Sequence, residues 1–216
     1  MKPRDAATLI IIRNRREVLL GLRNARHVFM PHRYVFPGGS VDAGDARVPC
    51  PIDLPARVER RLTRSVSAAR ARALAMAAVR ETFEETGLRL GKNVSTTLVT
   101  RSSHWQPFFA HGIAPALDKL DYFARAITPP GMVRRFDARF FTVDARHLSG
   151  SVNGNGELTD LRWVPLDRPH KLTLAPITRL VLNALTIALQ LPCEDNSDEL
   201  QAVARSELIE LHELML

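Results

Sequence analysis

The chain has 216 residues, of which 45% are hydrophobic, and its mean hydropathy is −0.09. These values fit one globular domain with additions, or two small domains. No apolar run reaches the ~18 residues that a bilayer-spanning helix needs, and charges flank the short apolar run near the N-terminus, which favours a strand over a signal peptide. Cys50 and Cys193 have no cysteine or histidine at metal-ligand spacing. We therefore expect a cytoplasmic protein with free thiols and no membrane partner.

The formal net charge is +7, and it is unevenly distributed. Residues 1–80 hold 16 Lys and Arg against 6 Asp and Glu, whereas residues 81–216 hold 14 against 17. Arginine, whose planar fork suits phosphates and carboxylates, provides most of the positive charge. The excess is compatible with a solvated surface and also with a field that attracts a polyanionic substrate. The lack of an aromatic and basic platform motif disfavours nucleic acid as the partner.

The first half of the chain predicts a hairpin, a glycine-rich loop and a long helical segment. The β-rich runs Thr8–Asn14 and Glu17–Arg23 are separated by a short polar turn. Residues 34–45, YVFPGGSVDAGD, form the end of a strand and a loop. From about Leu54 to Thr86 the pattern is helical, and Gly87 stands where a helix C′ glycine belongs.

The second half predicts four strands followed by two helices. Loops that contain Pro, Gly and Asn separate the strands. The predicted strands are VSTTLVTR (94–101), LDYFARAI (120–127), RRFDARFFTVDA (134–145) and ELTDLRWVP (157–165), and the predicted helices cover 175–191 and 197–216. An order of strands, helix, strands and helices predicts an α/β sandwich with a mixed sheet.

The stretch AVRETFEETGL, residues 78–88, crowds three carboxylates together. On a helix, Glu81, Glu84 and Glu85 stand at i, i+3 and i+4 and share one face, where like charges repel. Arg80 can pair with Glu84 but cannot neutralise all three. A divalent cation such as Mg²⁺ or Mn²⁺, which takes oxygen ligands, would explain the cluster. An exposed acidic helix end is the alternative.

Two segments resemble the halves of the Nudix box, G-x5-E-x7-R-E-U-x-E-E-x-G-U, where U is apolar. GGSVDAGD supplies the first half with Gly39 and Asp45, and RETFEETGL supplies the second. The matching residues of the second half are Arg80, Glu81, Glu84, Glu85, Gly87 and Leu88. The chain is therefore identified as resembling the Nudix hydrolases, which implies an α/β/α sandwich over a single domain, 1–216. We expect its catalytic helix to run from about Ser67 or Ala71 to Thr86.

Three features depart from the box. Asp45 replaces the first glutamate, and Thr82 takes a position that is usually apolar. In addition, 34 residues separate Asp45 from Arg80 where the pattern has seven, an insertion of 27. If the loop and helix keep their geometry, residues 46–76 must form a helical bulge whose two ends return to the site. Residues 174–216 are expected to add C-terminal helices that carry no motif.

The interruption of the box resembles the coenzyme A diphosphatase branch, which is related to the mammalian peroxisomal enzyme. FMPHRYVFPGGSVDAGD (29–45) and ITPPGMVRRFDARFF (127–141) also resemble that branch. The resemblance implies hydrolysis of coenzyme A or acyl-coenzyme A to 3′,5′-ADP and (acyl-)phosphopantetheine. Two alternatives stay open: a pyrophosphatase for ADP-ribose, NADH or a nucleotide sugar, and a nucleotide-binding module without activity. The three glutamates disfavour the module.

The resemblance also implies roles for the box residues. Mg²⁺ or Mn²⁺ would be held by Glu81, Glu84, Glu85 and the carbonyl of Gly39. The proton acceptor would be Glu84 or Glu85, then Glu81, and Arg80 would orient these carboxylates. A carboxylate from a later loop acts in some relatives, which adds Glu157 or Asp160 as candidates.

Further residues are candidates for contact with substrate. They are Arg23, Gly38 and Arg139 for the phosphates, His32 near the loop, and Trp105 and Phe108, which would either stack on adenine or pack in the core. The arginines of segment 46–76, above all Arg60, Arg61 and Arg64, suit the 3′-phosphate of coenzyme A. A solvated surface helix or a homodimer contact would explain the same arginines.

Overall fold

The computed structural model describes residues 2–25, 30–167 and 169–190. In this part of the chain the strands are β1 (Arg4–Arg13), β2 (Glu17–Arg23), β3 (Tyr34–Val35), β4 (Gly38–Ser40), β5 (Gly91–Asn93), β6 (Ile113–Pro115), β7 (Asp121–Ile127), β8 (Phe136–Asp144) and β9 (Leu158–Pro165). The helices are α1 (Ala56–Leu62), α2 (Ala68–Thr86), α3 (Gln106–Phe109) and α4 (Pro176–Gln190). The predicted hairpin is confirmed as β1 and β2, with Ile12 opposite Val18.

Among the described residues, seven strands form one mixed sheet. Its main order is β3-β2-β1-β8-β7, with β4 also beside β1 and β9 beside β2. β1 and β8 are parallel, and the other pairs are antiparallel. Ala7 of β1 pairs with Gly39 on one side and with Arg139 on the other. This register places Gly39 of β4 two strand spacings from Arg139 of β8, with β1 between them.

Helices cover both faces of the sheet. Side chains alternate along β1, so Leu9 and Ile11 join the core beneath α2, whereas Ile10 joins the core beneath α4. The core beneath α4 includes its residues Val181 and Leu185. The expected α/β/α sandwich with a mixed sheet is therefore confirmed.

The segment between the two halves of the box contains α1 and the first half of α2. The helix α1 packs against α2 and β7, and it buries Val58 and Leu62. Several of its arginines form ion pairs: Arg57 and Arg61 with Asp121 and Arg70 with Asp5 outside the segment, and Arg72 with Asp53 within it.

One sequence prediction is wrong, and another concerns residues that the structure does not describe. The strand predicted at 94–101 is wrong, because these residues form a loop. Its β-branched residues are largely exposed, Val99 to 79%, and strand propensity has no effect without a neighbouring strand and a face to bury. The predicted helix at 197–216 lies outside the described residues. Among the described helices, none has the length and hydropathy to cross a membrane.

Candidate active site

The helix α2 carries the predicted carboxylates on its last two turns. The hydroxyl of Ser67 caps its first turn by accepting a hydrogen bond from the backbone N–H of Arg70. Gly87 ends it in the left-handed conformation, φ 73°, and donates its N–H to the carbonyl of Phe83. The predicted bounds of the catalytic helix are therefore confirmed, with Ser67 as its cap.

Arg80 lies at the centre of the site, with a side chain that is only 3% exposed. Its Nε and Nη2 donate to Oδ1 and Oδ2 of Asp45 at 2.8 and 3.0 Å. Its Nη1 donates to Glu81 Oε1 at 2.9 Å and to Glu84 Oε2 at 3.0 Å, and Nη2 also reaches the carbonyl of Ser40 at 3.0 Å. Burial lowers the pKa of Arg80, but the hydrogen bonds that it donates to Asp45 and the charge of Glu81 more than offset this and raise it. Arg80 is therefore always a cation and ties both halves of the box together.

The predicted glycine loop, whose Gly38 and Gly39 lie in β4, contacts Glu85 and also Glu81. The backbone N–H of Gly38 donates to Glu85 Oε2 at 2.8 Å. A Cβ on Gly39 would lie 2.6 Å from the carboxyl carbon of Glu81, so only glycine lets that carboxylate rest against the strand. The loop and the helix therefore meet directly, backbone against carboxylate.

Burial changes the proton affinity of these carboxylates. It raises the pKa of Glu81 to about 7, although the adjacent Arg80 acts in the opposite direction. It also raises the pKa of Glu85, and the charge of Glu81 adds to the effect, while the N–H of Gly38 opposes it. Because these two buried carboxylates repel each other, a positive charge at this position would stabilise their ionised forms.

Arg23 and Glu157 lie beside this cluster. Burial lowers the pKa of Arg23, and the negative charges of Glu85, Glu157 and Glu81 act in the opposite direction, which places the four groups within electrostatic reach. The carbonyl of Glu157 accepts a hydrogen bond from the N–H of Asn24, next to Arg23, at 3.2 Å. The structure thus brings two further predicted residues to the carboxylates.

Other predicted candidates have different surroundings. Asp160 binds the hydroxyl of Tyr34 and the guanidinium of Arg162, and His32 is exposed. Trp105 and Phe108 have 0% exposure and pack against each other at 5.4 Å. The core interpretation of these two rings is therefore confirmed, and stacking of either ring on adenine is not supported.

The other arginines that were predicted to bind phosphate do not lie at the carboxylate cluster. Arg139 was predicted to reach substrate, but its side chain is 0% exposed and contacts Asp137 and Ser65 beneath the turn between α1 and α2. Arg61 binds Asp121 and lies over the ring of Tyr122. These contacts bury or occupy both guanidinium groups.

Arg60 and Arg64 are exposed, the first on α1 and the second just after it. The strand β7 beneath α1 is separated from β4 by β1 and β8. Three strand spacings amount to about 14 Å. The α1 arginines therefore lie on a different part of the surface from the glycine loop.

Sequence reasoning missed two contacts at the site. The indole N–H of Trp105 donates to Asp45 Oδ1 at 2.9 Å, and His104 Nδ1 lies 3.1 Å from Glu84 Oε1. A tryptophan next to two phenylalanines is typical of core, and nothing in the local sequence links it to a carboxylate sixty residues away. No signal in the sequence would have found either contact.

The donor set at the site fits a hard divalent cation. It offers carboxylate oxygens and backbone only, with no sulfur or nitrogen ligand required. Within the described residues, no three or more His, Cys, Asp or Glu side chains stand ready-made as metal ligands. Arg80 binds oxygens of Glu81 and Glu84, and Gly38 binds one of Glu85. The carboxylate oxygens have the chemistry that the ion prefers, and they would hold it beside Gly39, where the carboxylate of Glu81 lies against the backbone.

The structure is similar to solved Nudix hydrolases. A NUDIX hydrolase from Alicyclobacillus acidocaldarius is 28% identical, with a TM-score of 0.67 over 88% of this chain and 97% of that chain. A MutT NUDIX hydrolase from Burkholderia pseudomallei is 20% identical, with a TM-score of 0.50 over 85% and 98%. A MutT protein from Methanosarcina mazei Go1 is 15% identical, with a TM-score of 0.51 over 88% and 99%.

The chain matches no family model and no curated protein. The similarities at 20% and 15% identity show the fold alone. The first extends over nearly the full length of both chains, and the box residues meet at one place on that fold. The chain is therefore an enzyme of the Nudix hydrolase type.

Proposed function

We propose that the chain is a divalent-cation-dependent diphosphatase that hydrolyses coenzyme A or acyl-coenzyme A to 3′,5′-ADP and (acyl-)phosphopantetheine. The observation that carries the reaction class is the meeting of Glu81, Glu84 and Glu85 with Arg80 at the backbone of Gly38 and Gly39. The solved Nudix hydrolases with this fold support hydrolysis of a diphosphate bond in a nucleotide derivative. Support for coenzyme A comes from the sequence resemblance of residues 29–45 and 127–141.

The cation is Mg²⁺ or Mn²⁺, held by Glu81 and Glu85 together with Glu84 and the carbonyl of Gly39. When bound, it supplies neutralisation of phosphate charge and a lower pKa for a bound water. The protein's part is to hold the donors. Arg80 keeps Glu81 and Glu84 on one side, and the N–H of Gly38 keeps Glu85 on the other.

Arg23 binds the substrate phosphates in this proposal, whereas the N–H of Gly38, its only donor, is already bound to Glu85. Arg23 lies within reach of Glu85, so a phosphate held beside the carboxylates would meet a guanidinium that balances its charge. The barrier to phosphoryl transfer is mostly charge, so fixed positive groups and correct placement are the main requirement.

One carboxylate must accept the proton of the attacking water. Glu84 and Glu85 are the first choices, followed by Glu81. Glu157 is a further candidate because it lies near Arg23 and Glu85. Substitution of each carboxylate by its amide, followed by measurement of kcat, ranks them.

Contact of Arg60, Arg61 and Arg64 with the 3′-phosphate stays a prediction. A phosphate–arginine pair shielded from water is worth roughly 1.5–3 kcal/mol. Neutralising the three residues together should therefore raise KM for coenzyme A more than about tenfold. Turnover of dephospho-coenzyme A, which lacks that phosphate, should stay nearly unchanged. No loss for either ligand would assign the arginines to a solvated face or to a homodimer contact.

The substrate is tested with a panel of coenzyme A, acyl-coenzyme A, NADH, ADP-ribose and nucleotide sugars, each incubated with Mg²⁺ or Mn²⁺. Products are identified by mass. The proposal predicts the highest kcat/KM for coenzyme A or its thioesters, with 3′,5′-ADP as one product. A preference for ADP-ribose, NADH or a nucleotide sugar would keep the chemistry and overturn the substrate. Binding without turnover would indicate a nucleotide-binding module.

A further inference from the structure

Asp45 binds two buried side chains from distant parts of the chain and one backbone N–H of its own loop. Its Oδ1 accepts from Arg80 Nε at 2.8 Å and from the indole of Trp105 at 2.9 Å. Its Oδ2 accepts from Arg80 Nη2 at 3.0 Å and from the backbone N–H of Asp42 at 2.8 Å. Asp45 is 2% exposed and Trp105 is 0% exposed. The three hydrogen bonds from Arg80 and Trp105 are therefore shielded from water, where charge-assisted bonds are strongest.

The segment that carries Trp105 also touches the catalytic helix elsewhere. His104 contacts Glu84, and the ring of Phe108 packs edge-on against Phe83 of α2 at 5.5 Å. Ser102 closes against the loop at Gly44, where an added Cβ would meet its hydroxyl at 2.6 Å. Residues 102–108 thus fit over the helix and the loop together.

The short side chain of Asp45 explains why the hydrogen bond from Trp105 is needed. Aspartate reaches less far than the glutamate of the usual box, so its carboxylate needs a second fixed partner to be held against Arg80. Trp105 is that partner, and Trp105 lies outside both halves of the box. A misplaced Asp45 would release Arg80, which aligns Glu81 and Glu84.

We propose that Trp105 is a positioning residue for catalysis: its indole N–H fixes Asp45, Asp45 fixes Arg80, and Arg80 sets the orientation of Glu81 and Glu84. Trp105 does not touch substrate. This inference rests on the proposed diphosphatase activity for its kinetic consequence, whereas the hydrogen-bond relay exists in the protein alone and is tested there.

The relay is tested first without substrate. Trp105→Phe keeps an aromatic ring and removes the N–H, and Asp45→Asn weakens the acceptor. The unfolding free energies of the two single variants and the double variant, measured in urea with EDTA, form a double-mutant cycle. We expect the double variant to lose clearly less than the sum of the single losses. Additive losses would overturn the relay. A second measurement needs no variant and so applies even if a variant fails to fold. In the unaltered protein, the indole N–H of Trp105 should exchange with solvent far more slowly than that of half-buried Trp163. Equal exchange rates would overturn the relay.

The positioning role is tested by kinetics against a matched variant. Phe109→Leu perturbs the same cluster, in which Phe109 stacks on Trp105 at 5.6 Å, but leaves the hydrogen bond to Asp45 in place. We expect Trp105→Phe to lower kcat about tenfold with KM changed less than about twofold, and Phe109→Leu to change kcat less than about twofold. Equal kcat losses in the two variants would reduce Trp105 to a packing residue. If the unaltered protein cleaves no diphosphate, the proposed function fails, and the mutant cycle still decides the relay.

Discussion

At the scale of single residues, glycine and arginine decide how the carboxylates stand. Gly39 has no side chain, so the carboxylate of Glu81 can lie against the strand. Arg80 is buried and distributes its donors over three carboxylates and one carbonyl. Uncompensated, such a cluster of buried acids would be costly, so one arginine and a loop backbone keep it in place.

Gly39→Ala tests the close approach of loop and helix. The new Cβ would lie 2.6 Å from the carboxylate of Glu81, which is the flexible end of a side chain and can move aside. We expect the protein to fold with little loss of stability and kcat to fall at least about tenfold. Gly112→Ala is the control, because its Cβ meets nothing within 4 Å, although its φ of +69° costs some stability. Unchanged kcat in Gly39→Ala would show that Glu81 needs no contact with the loop.

The raised pKa of Glu81 predicts how stability depends on pH when divalent ions are chelated. Its value is about 7 in the folded protein against 4.5 as the ordinary value, so the folded state holds this proton more tightly than the unfolded state. The unfolding free energy should therefore decrease as pH rises from about 4.5 to about 7. Glu81→Gln should reduce this decrease. Urea unfolding in EDTA across that range measures it, and a slope unaffected by the substitution would exclude Glu81 as its source.

At the scale of elements, α2 was predictable and its surroundings were not. Ser67 stands before an Ala- and Arg-rich run, and Gly87 follows ETFEET. These two residues define the ends of α2, because helix caps are encoded locally. The strand predicted at 94–101 failed because strand formation depends on a partner that local sequence does not reveal. The short strands β5 and β6, which pair with each other, escaped prediction for the same reason.

Ser67→Ala tests whether the cap begins the catalytic helix. The hydroxyl of Ser67 accepts from the N–H of Arg70 at 3.3 Å. Its removal should lower the unfolding free energy by about 1 kcal/mol. Ser67→Gly should cost only a few tenths of a kcal/mol, because glycine leaves the helix end open to water. An unfolding free energy of Ser67→Ala equal to that of the unaltered protein, measured by urea unfolding, would show that the hydroxyl contributes nothing.

At the scale of the whole molecule, the site is assembled from segments that are far apart in the chain. The box motif predicted that Gly39, Asp45 and Arg80 would meet despite the 34 residues between the last two, and Arg80 does bind Asp45. The contact of Trp105 with Asp45 depends on how a loop packs, and the burial of Arg139 depends on sheet register. Neither follows from a motif. The same packing explains why several arginines of segment 46–76 pair with aspartates elsewhere in the chain.

The central claim is that this site adds water to a phosphorus of a diphosphate. The most direct measurement is turnover of coenzyme A in ¹⁸O-labelled water with Mg²⁺ or Mn²⁺, followed by mass analysis of both products. We predict one ¹⁸O atom in a single product, either 3′,5′-ADP or phosphopantetheine, and no turnover by folded Glu85→Gln, whose carboxylate is held at the glycine loop. Cleavage without label in a phosphate group, or full activity of Glu85→Gln, would contradict the account.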